Sequence, residues 1–333
     1  MKPLISIIIP VKNASKTIQK CIDSILNLNY PEYEIIIIDD GSTDDTSSLL
    51  NNYFQSGRMK NYRYIKINSS GPSKARNIGI DISNGEFVAF TDADCIIDRE
   101  WLNELLKGFE SYDEKIAGVG GEQLSPDDDT DFCKSINDFM KKIGFITDYI
   151  KTIENHKKQN FKFIETNHNP TCNVIYKKEI FKKVGGFLDG LWPGEDVELD
   201  YRIKKYGYKL LFNPKAIVYH YRPETIEKFS KMMFNYGKVQ AFLVKKYGFF
   251  RKIHFVPIIF FPVLIFSVFY IFYNFKIFLI LFLFFNIICF LFFILKNVKL
   301  KKIIQFCFFN YITLFSWNSG FLYGVFTNFK SKK

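Results

Sequence analysis

Short apolar runs alternate with amphipathic segments along the first third of the chain. The runs have the length and the continuous hydrophobicity of strands that are buried on both faces of a parallel sheet. They are Leu4–Ile9, Glu34–Ile38, Tyr62–Ile67, Phe87–Phe90 and a run that begins at Ile116. Between the first two runs, the segment Lys16–Leu28 carries apolar residues at helical spacing. This alternation with short connections predicts right-handed crossovers and a parallel α/β sheet.

Polar residues of distinctive chemistry collect where the predicted strands end. The segments that follow the first four runs are Pro10–Asn13, Asp39–Asp40, Gly71–Arg76 and Asp92–Asp94. Open α/β sheets bind ligands outside the carboxyl ends of their strands, and parallel strands bring those ends to one edge. The pattern therefore predicts a ligand site at that edge.

Two carboxylates, Asp92 and Asp94, flank the small Ala93 just after the fourth run. This spacing allows both side chains to turn toward one point, and hard oxygen ligands suit Mg²⁺ or Mn²⁺ that carries phosphates. The Asp-x-Asp pattern alone is weak evidence, because Asp127–Asp129 repeats it in what we expect to be a solvated loop. Asp92 and Asp94 are better evidence for a metal site only because they lie at the end of a predicted strand.

The middle of the chain is less regular. From about Leu124 to Glu165, acidic Asp127–Asp131 precedes a lysine-containing helical stretch, and we expect a solvated insertion over the sheet rather than a specific site. Regular elements return afterwards, and their predicted bounds are Thr171–Tyr176 for a strand, Val197–Tyr206 for a helix, and Lys209–Phe212 and Ala216–Tyr219 for two further strands.

Glu195 and Asp196 follow a glycine-containing loop and precede that helix. A carboxylate that faces the same edge could take the proton from an attacking hydroxyl, while metal and cationic groups neutralise a leaving diphosphate. Acids at a helix N-terminus also stabilise the helix dipole without any catalytic role. The residues themselves leave both interpretations open.

The last eighty residues are far more apolar than the rest. An amphipathic segment, Thr225–Lys246, precedes two uncharged runs, Phe255–Tyr273 and Ile277–Leu295, and each run is about long enough to span a bilayer. We therefore predict a transmembrane helical hairpin. The final segment, residues 303–329, is interrupted by polar residues, and we favour an interfacial helix over a third span.

Basic residues flank the predicted hairpin on both sides, at Arg251–Lys252 and at Lys296–Lys302, whereas its connector holds one lysine. The positive-inside rule then places both flanks and the N-terminal domain in the cytoplasm, as part of a multi-pass protein of the cell membrane. The predicted domains are residues 1–222 (catalytic), 223–252 (amphipathic, at the membrane interface), 253–296 (hairpin) and 297–333 (basic loop and last helix).

The composition limits the classes of partner that we expect the chain to bind. A net charge of +11 favours a polyanionic partner such as a nucleotide, nucleic acid or an anionic membrane face. Nucleic acid is disfavoured because the lysines are dispersed and no binding motif accompanies them. No Gly-x-Gly-x-x-Gly follows the first run, which disfavours a nucleotide-dependent oxidoreductase. Six cysteines without CxxC pairs indicate free thiols, and the first apolar run is too short for a signal peptide.

A set of short motifs, in this order, resembles the family 2 glycosyltransferases. The motifs are Pro10–Asn13, Ile38–Asp44, Lys74–Gly79, Phe90–Asp94, Gly185–Phe187, Gly194–Asp196 and His220. The resemblance covers about Leu4 to Arg222, and it rests on the set rather than on any one motif. It implies the GT-A fold, which is a Rossmann-like, mixed but mostly parallel sheet with helices on both faces. It also implies inverting transfer from nucleotide-diphosphate sugars.

The resemblance implies a role for each matching residue. The nucleoside pocket would be lined by Pro10, Lys12, Asn13, Asp39 and Asp40, with one aspartate bonding the base. Lys74 and Arg76 would approach the base or the diphosphate, and Asp92, beside Ala93, would face the ribose or the donor sugar. Asp94 would bind Mg²⁺ or Mn²⁺, with His220 as a second ligand or a structural histidine. Asp196 would be the general base, Glu195 its neighbour on the acceptor side, and Trp192 a wall on which a sugar stacks. Lys12 stands where the family often carries an aromatic residue.

The predicted activity is the transfer of one sugar. Processive relatives carry a Gln-x-x-Arg-Trp motif after the acidic pair, and no such motif follows Asp196. The hairpin suggests a membrane-bound acceptor, either a polyprenyl phosphate or a lipid-linked glycan. The alternative is a non-catalytic subunit that binds nucleotide sugars within a membrane glycan-assembly complex.

Overall fold

The computed structural model of the chain describes residues 2–110, 113–144 and 163–327. These residues fall into two compact units. The sheet unit comprises residues 2–129, Gly144 and 163–222, and the helical unit comprises residues 130–143 and 223–327. The parts of the predicted lysine-containing stretch and of the last segment that fall in 145–162 and 328–333 lie outside the described residues.

The sheet unit is built on one nine-stranded sheet, whose path is β3-β2-β1-β4-β8-β6-β9-β5, with β7 paired to β9. In chain order the strands are β1 (Ile5–Val11), β2 (Tyr33–Asp39), β3 (Tyr62–Lys66), β4 (Phe87–Phe90), β5 (Cys95–Ile97), β6 (Ile116–Leu124), β7 (Ile164–Thr166), β8 (Val174–Lys177) and β9 (Lys209–His220). Strands β1 to β4 pair in parallel, and β8 joins β4 and β6 in antiparallel fashion. The predicted mixed α/β sheet is confirmed.

Helices cover both faces of this sheet. In chain order, the α-helices of the described chain are α1 (Ile18–Leu26), α2 (Thr46–Gln55), α3 (Pro72–Ile82), α4 (Trp101–Leu106), α5 (Asp131–Ile143), α6 (Lys178–Val184), α7 (Glu195–Lys205), α8 (Ile226–Tyr247), α9 (Val256–Tyr273), α10 (Phe275–Leu295) and α11 (Leu300–Phe326). Strand β1 shows why two layers form. Its Ile7 belongs to the core beneath α1, while Ile8 belongs to the core beneath α3, since alternate side chains of a strand face opposite sides.

The parallel register brings the strand ends together. Val11 pairs with Asp39, Asp39 pairs with Lys66, and Ile8 pairs with Phe90. The residues that follow β1, β2 and β4 therefore leave the sheet at one edge, as expected from the alternation of strands and helices.

Strand β9 and the short strands β5 and β7 differ from the prediction. The segments Lys209–Phe212 and Ala216–Tyr219 form one strand, β9, because a register shift opposite β6 accommodates Pro214–Ala216 between the paired Asn213 and Ile217. The short strand β5 was not predicted, and it pairs Cys95 with His220. A strand of three residues is too short to carry a periodic signal, so only the fold reveals it.

The expected solvated insertion is wrong for its described part. Helix α5 buries Cys133, Ile136 and Phe139 within the helical unit. The ring of Phe139 lies 5.7 Å from that of Phe306 and 5.6 Å from that of Phe309. The apolar residues of α5 recur at helical spacing and bury one face of the helix, while its lysines lie on the opposite face. The lysines therefore do not prevent burial of the segment.

Two helices of the described chain, Lys252–Tyr273 with its initial 3₁₀ turn and Phe275–Leu295, are long and apolar enough to cross a membrane. Most of their side chains are exposed in the protein alone. Helix α11 instead packs closely on α8. A Cβ atom on Gly237 would lie 1.8 Å from the carbonyl oxygen of Trp317, and one on Gly320 would lie 1.9 Å from that of Phe234. Glycine is therefore required at both positions for the helices to approach this closely.

Candidate active site

The acidic pair after β4 divides into two different environments. Asp92 is 29% exposed and accepts a hydrogen bond of 2.7 Å from Nη2 of Arg76. Asp94 is 47% exposed, and its Oδ1 lies 3.4 Å from Nε2 of His220. One carboxylate is thus held by a fixed cation, while the other stands next to an imidazole at a more open position.

Arg76 joins two of the predicted site residues. Its side chain is 2% exposed, and its Nη1 donates a hydrogen bond of 2.6 Å to Glu195 while its Nη2 bonds Asp92. Burial raises the pKa of Glu195 to about 7, and the positive charge of Arg76 opposes this only partly. Burial also raises the pKa of Asp92. Because two carboxylates share one guanidinium, Arg76 does not fully offset the effect of burial on either pKa. An additional positive charge nearby would therefore stabilise the ionised form of both carboxylates.

Asp94 and His220 fit a divalent cation. Burial acts to raise the pKa of Asp94, but the neighbouring His220 outweighs it and the pKa is lowered. Burial acts to lower the pKa of His220, and Asp94 reverses this, so the pKa is raised. One ligand atom each from Asp94, Cys95 and His220 lies within 4.8 Å of the others. A carboxylate oxygen suits Mg²⁺ and Mn²⁺, and an imidazole nitrogen suits transition-metal ions, so the two groups together can bind a divalent cation.

The two aspartates at the end of β2 are bound mainly by their own surroundings. Asp39 has no exposed surface, and it accepts hydrogen bonds from the Ser42 amide, Ser47 and Tyr64 at 2.7, 2.8 and 2.9 Å. Asp40 accepts from the backbone amides of Ser70 and Gly71. Because the carboxylate of Asp39 is buried and hydrogen-bonded by three donors, it has no exposed surface on which to bind a nucleobase.

Residues after β1 lie next to the β2 end. Lys12 is half exposed, bonds the hydroxyl of Ser69, and lies 3.5 Å from Asp40. Asn13 has a positive φ of 50°, and its side-chain oxygen accepts a hydrogen bond of 2.9 Å from the amide of Thr43. Pro10 lies partly exposed near the end of β1. These contacts bring Lys12 and Asn13 close to the β2 end, as the motif order led us to expect.

The segment before α7 is attached to α3 by several bonds. Ser73 donates to the carbonyl of Leu191, and Asn77 donates 2.8 Å hydrogen bonds to the carbonyl of Phe187 and the carboxylate of Asp189. Lys74, which is half exposed, lies 3.3 Å from Asp189. Trp192 is 59% exposed. The loop is thus fixed at its base while its tryptophan remains available for contact.

Asp196 and Glu195 face different surroundings at the start of α7. Glu195 is buried behind Arg76, whereas the side chain of Asp196 is 17% exposed. The Oδ1 of Asp196 accepts a hydrogen bond of 2.8 Å from the amide of Val197. Its Oδ2 lies 3.4 Å from the amide nitrogen of Thr171 and 3.9 Å from Nε2 of His168. The sequence interpretation missed His168, although Asp196 and Asp200 at helical i,i+4 spacing could have suggested a shared partner.

The sequence profile of Glycosyl transferase family 2 matches residues 6–185, which is more than half of the chain. The chain belongs to this family. It is therefore a glycosyltransferase, and the predicted family resemblance is confirmed. The matched range contains the strand ends of β1, β2 and β4 with their polar residues.

Two curated members of the family resemble the chain over most of their lengths. Glycosyltransferase AglE of Haloferax volcanii is 29% identical over 242 residues, which are 72% of this chain and 73% of that protein. A dolichyl N-acetyl-α-D-glucosaminyl phosphate 3-β-D-2,3-diacetamido-2,3-dideoxy-β-D-glucuronosyltransferase of Methanococcus voltae is 28% identical over 264 residues, 76% of this chain and 77% of that protein.

Solved glycosyltransferase structures share the fold. The mannosyltransferase PcManGT from Pyrobaculum calidifontis, in complex with GDP-Man and Mn²⁺, aligns with a TM-score of 0.52 and 18% identity, covering 72% of this chain and 63% of that one. GalNAc-T7 with UDP, GalNAc and Mn²⁺ aligns with a TM-score of 0.52 and 20% identity, covering 67% and 44%. The chain spans less than two thirds of either protein, and these similarities establish the GT-A fold alone.

Proposed function

We propose that the protein transfers a single sugar, with inversion, from a nucleotide-diphosphate sugar to a membrane-associated acceptor. The observation that carries the proposal is the bridge made by Arg76, which ties Asp92 to Glu195 and hence to the neighbouring Asp196. This bridge links the end of β4, which suits a donor, with the start of α7, which carries the candidate base. Donor and base groups thus belong to one site.

On the donor side, Asp92 is held by Arg76 and faces the ribose or the donor sugar. Asp94 and His220 would hold Mg²⁺ or Mn²⁺, which when bound neutralises the negative charge of the leaving diphosphate. Lys12 and Lys74 are half exposed and add positive charge near the diphosphate. Asn13 and Asp40 line the nucleoside pocket together with Pro10, with Asp40 as the aspartate that bonds the base.

On the acceptor side, Asp196 takes the proton from the attacking hydroxyl group. The hydroxyl oxygen bonds the anomeric carbon from the face opposite the diphosphate, and the configuration at that carbon is inverted. Val197 donates its amide to Oδ1 and thereby fixes the carboxylate. Glu195 is buried against Arg76, so we assign it the support of Arg76 instead of contact with the acceptor. The exposed Trp192 offers a ring for stacking on a sugar.

The acceptor is a polyprenyl phosphate or a lipid-linked glycan, and the catalytic domain lies in the cytoplasm. Two observations support the acceptor class. The chain carries two helices of suitable length and apolarity for a membrane, and the Methanococcus relative is named for a dolichyl-linked substrate. The basic residues that flank these helices support the cytoplasmic placement, and the absence of a Gln-x-x-Arg-Trp motif after Asp196 supports the transfer of a single sugar.

The test is a donor panel assayed with membranes that contain the full chain. Labelled nucleotide sugars with Mn²⁺ or Mg²⁺ should place label in the lipid extract, and label found only in water-soluble products would refute the acceptor class. Asp196→Asn should lower kcat by about 10²–10⁴-fold. The matched control is Glu179→Gln, which removes an exposed carboxylate on α6 and should leave kcat unchanged.

A further inference from the structure

Cys95 lies beside the proposed cation position, and no step of the proposed reaction uses it. Its thiol is buried and donates a hydrogen bond of 3.8 Å to Oδ1 of Asp94. The same Oδ1 lies 3.4 Å from Nε2 of His220, and the ligand atoms of the three residues lie within 4.8 Å of one another. A carboxylate oxygen, a thiolate sulfur and an imidazole nitrogen are the three kinds of side-chain ligand that Zn²⁺ takes in proteins.

The fold brings these three side chains together before any ion binds. Strand β5 pairs with β9 so that Cys95 stands directly opposite His220. Residues directly opposite each other in an antiparallel pair carry their side chains on the same face of the sheet. The amide of Tyr221 also donates a hydrogen bond of 3.2 Å to the carbonyl of Asp94. The three groups therefore belong to two backbone segments that are bonded to each other.

The separations between the groups fit a tetrahedral ion. Bonds of about 2.0 Å to nitrogen and oxygen and of about 2.3 Å to sulfur place neighbouring ligand atoms roughly 3.3–3.6 Å apart at the tetrahedral angle. From Oδ1 of Asp94, the imidazole nitrogen lies at 3.4 Å and the sulfur of Cys95 at 3.8 Å. The first separation already fits, and a modest rotation of the cysteine side chain brings the sulfur into range.

We propose that Cys95 makes this position a site for thiophilic divalent cations of the Zn²⁺ class, which bind there in competition with Mn²⁺ or Mg²⁺. The thiol proton of Cys95, together with any proton on the imidazole, is released to solvent as the metal–ligand bonds form, and no group is oxidised or reduced. Thiolate sulfur favours Zn²⁺, whereas Mg²⁺ and Mn²⁺ favour oxygen ligands. The sulfur therefore determines which ion the site prefers.

Occupation by Zn²⁺ should inhibit sugar transfer, and this part of the inference rests on the proposed function. Three side chains leave a tetrahedral ion one open position. A diphosphate that chelates an ion through one oxygen of each phosphate needs two open positions. A six-coordinate Mn²⁺ or Mg²⁺ ion held by Asp94 and His220 keeps more than two. The thiol thus converts a site that accepts a diphosphate into one that does not.

The experiment uses the full chain in detergent with a phosphine reductant, and Co²⁺ as a spectroscopic substitute for Zn²⁺. A thiolate bound to Co²⁺ gives a charge-transfer band in the near ultraviolet, which a site of carboxylate and imidazole alone does not give. The original protein should show this band, and added Zn²⁺ should abolish it. Cys95→Ser should lose the band and bind Zn²⁺ at least about tenfold more weakly. Its affinity for Mn²⁺ should change less, because a hydroxyl oxygen suits that ion.

Cys172→Ser provides the matched control. Cys172 is also buried, and its thiol forms a side-chain hydrogen bond with that of Cys95, but it does not belong to the group of three ligand atoms. Its replacement should leave the band and the Zn²⁺ affinity unchanged. A band that disappears in Cys172→Ser and persists in Cys95→Ser would overturn the inference. Equal weakening of Zn²⁺ and Mn²⁺ binding in Cys95→Ser would also overturn it, because that pattern denotes a structural role.

Activity assays separate this inference from the proposed function. Zn²⁺ added to an assay supported by Mn²⁺ should stop transfer, and the Zn²⁺ concentration that halves the rate should rise at least about tenfold in Cys95→Ser. An original protein that turns over no donor would refute the proposed function, while its Co²⁺ spectrum would still decide whether the thiol binds metal. An active original protein without the Co²⁺ band would refute only the role of Cys95, whatever the folding of the variants.

Discussion

Two acidic pairs lie at the same edge of the sheet, one after β2 and one after β4, and they differ in how their carboxylates are satisfied. Asp39 is surrounded by three donors and has no exposed surface. Asp94 is 47% exposed, and its Oδ1 lies 3.4 Å from Nε2 of His220. Asp39 therefore holds its own loop together, whereas Asp94 keeps carboxylate lone pairs available.

The difference teaches that position at a strand end does not by itself mark a ligand site. Both pairs follow buried parallel strands, so they look equivalent in the sequence. What separates them is the number of neighbouring donors, and Ser42, Ser47 and Tyr64 reach Asp39 from three places in the chain. A carboxylate already bonded by the protein contributes to stability, and one that is not fully bonded remains open to a metal or substrate.

Among substitutions in the two acidic pairs, Asp94→Asn should have the largest effect. Losing one anionic oxygen at the proposed metal position should lower kcat by about a hundredfold or more, while Tm should hardly change because the side chain is half exposed. Initial rates across a Mn²⁺ titration, together with thermal unfolding, provide the measurement. A variant that keeps full activity would place the cation elsewhere and would remove the distinction between the two pairs.

Asp39→Asn should act on stability instead. The substitution weakens hydrogen bonds to a buried side chain and should lower the free energy of unfolding by about 2 kcal/mol or more. Urea or thermal unfolding of the full chain in detergent provides the measurement. Burial opposes the ionised form, but the bonds from Ser42, Ser47 and Tyr64 prevail and lower the pKa of Asp39. Its stabilising contribution is therefore present above the ordinary aspartate range and is lost as pH falls through the folded-state pKa.

The pH dependence provides the control for that prediction. The difference in Tm between the original protein and Asp39→Asn should be constant near neutral pH and should shrink below about pH 4, where aspartates of unfolded chains become protonated. A difference that widens on acidification would mean that Asp39 is not stabilised as an anion, contrary to the contrast drawn here.

The smallest effect should come from Asp128→Asn, within the other Asp-x-Asp sequence. Asp128 is about half exposed and contacts Lys20 and, at 2.9 Å, the hydroxyl of Tyr221. Surface pairs of this kind contribute about 0.5 kcal/mol or less, so both Tm and kcat should stay close to their original values. A large loss of activity would show that this second motif takes part in the site and that the edge position is not decisive.

Much of the fold and of the edge could be predicted from local pattern. The strand runs, the crossover helices and the polar residues after Ile9, Ile38 and Phe90 all carry short-range signals. Strand β5 and the burial of α5 were not predicted correctly, because one is too short for periodicity and the other depends on aromatic partners more than eighty residues away in sequence.

The members of the candidate site could be proposed from the motif order, but the bonds between them could not. The motif order indicated that Arg76, Asp92 and Glu195 belong together, yet nothing in the sequence shows that one guanidinium joins the other two. His168 and Asp200 are separated by 32 positions and belong to no motif that we could identify. Such pairs depend on tertiary packing, which places side chains that have no sequence relation.

The attachment of α3 to the segment before α7 also determines when this site can form. Arg76 and Glu195 are 119 positions apart, and Ser73 and Leu191 are 118 apart. Contacts of such long range form late, both in folding from the unfolded state and during synthesis from the N-terminus. A ribosome-bound chain that has emerged only through β6 already has the first four strands, but Arg76 still lacks Glu195. The candidate active site should therefore be complete only after α7 has emerged.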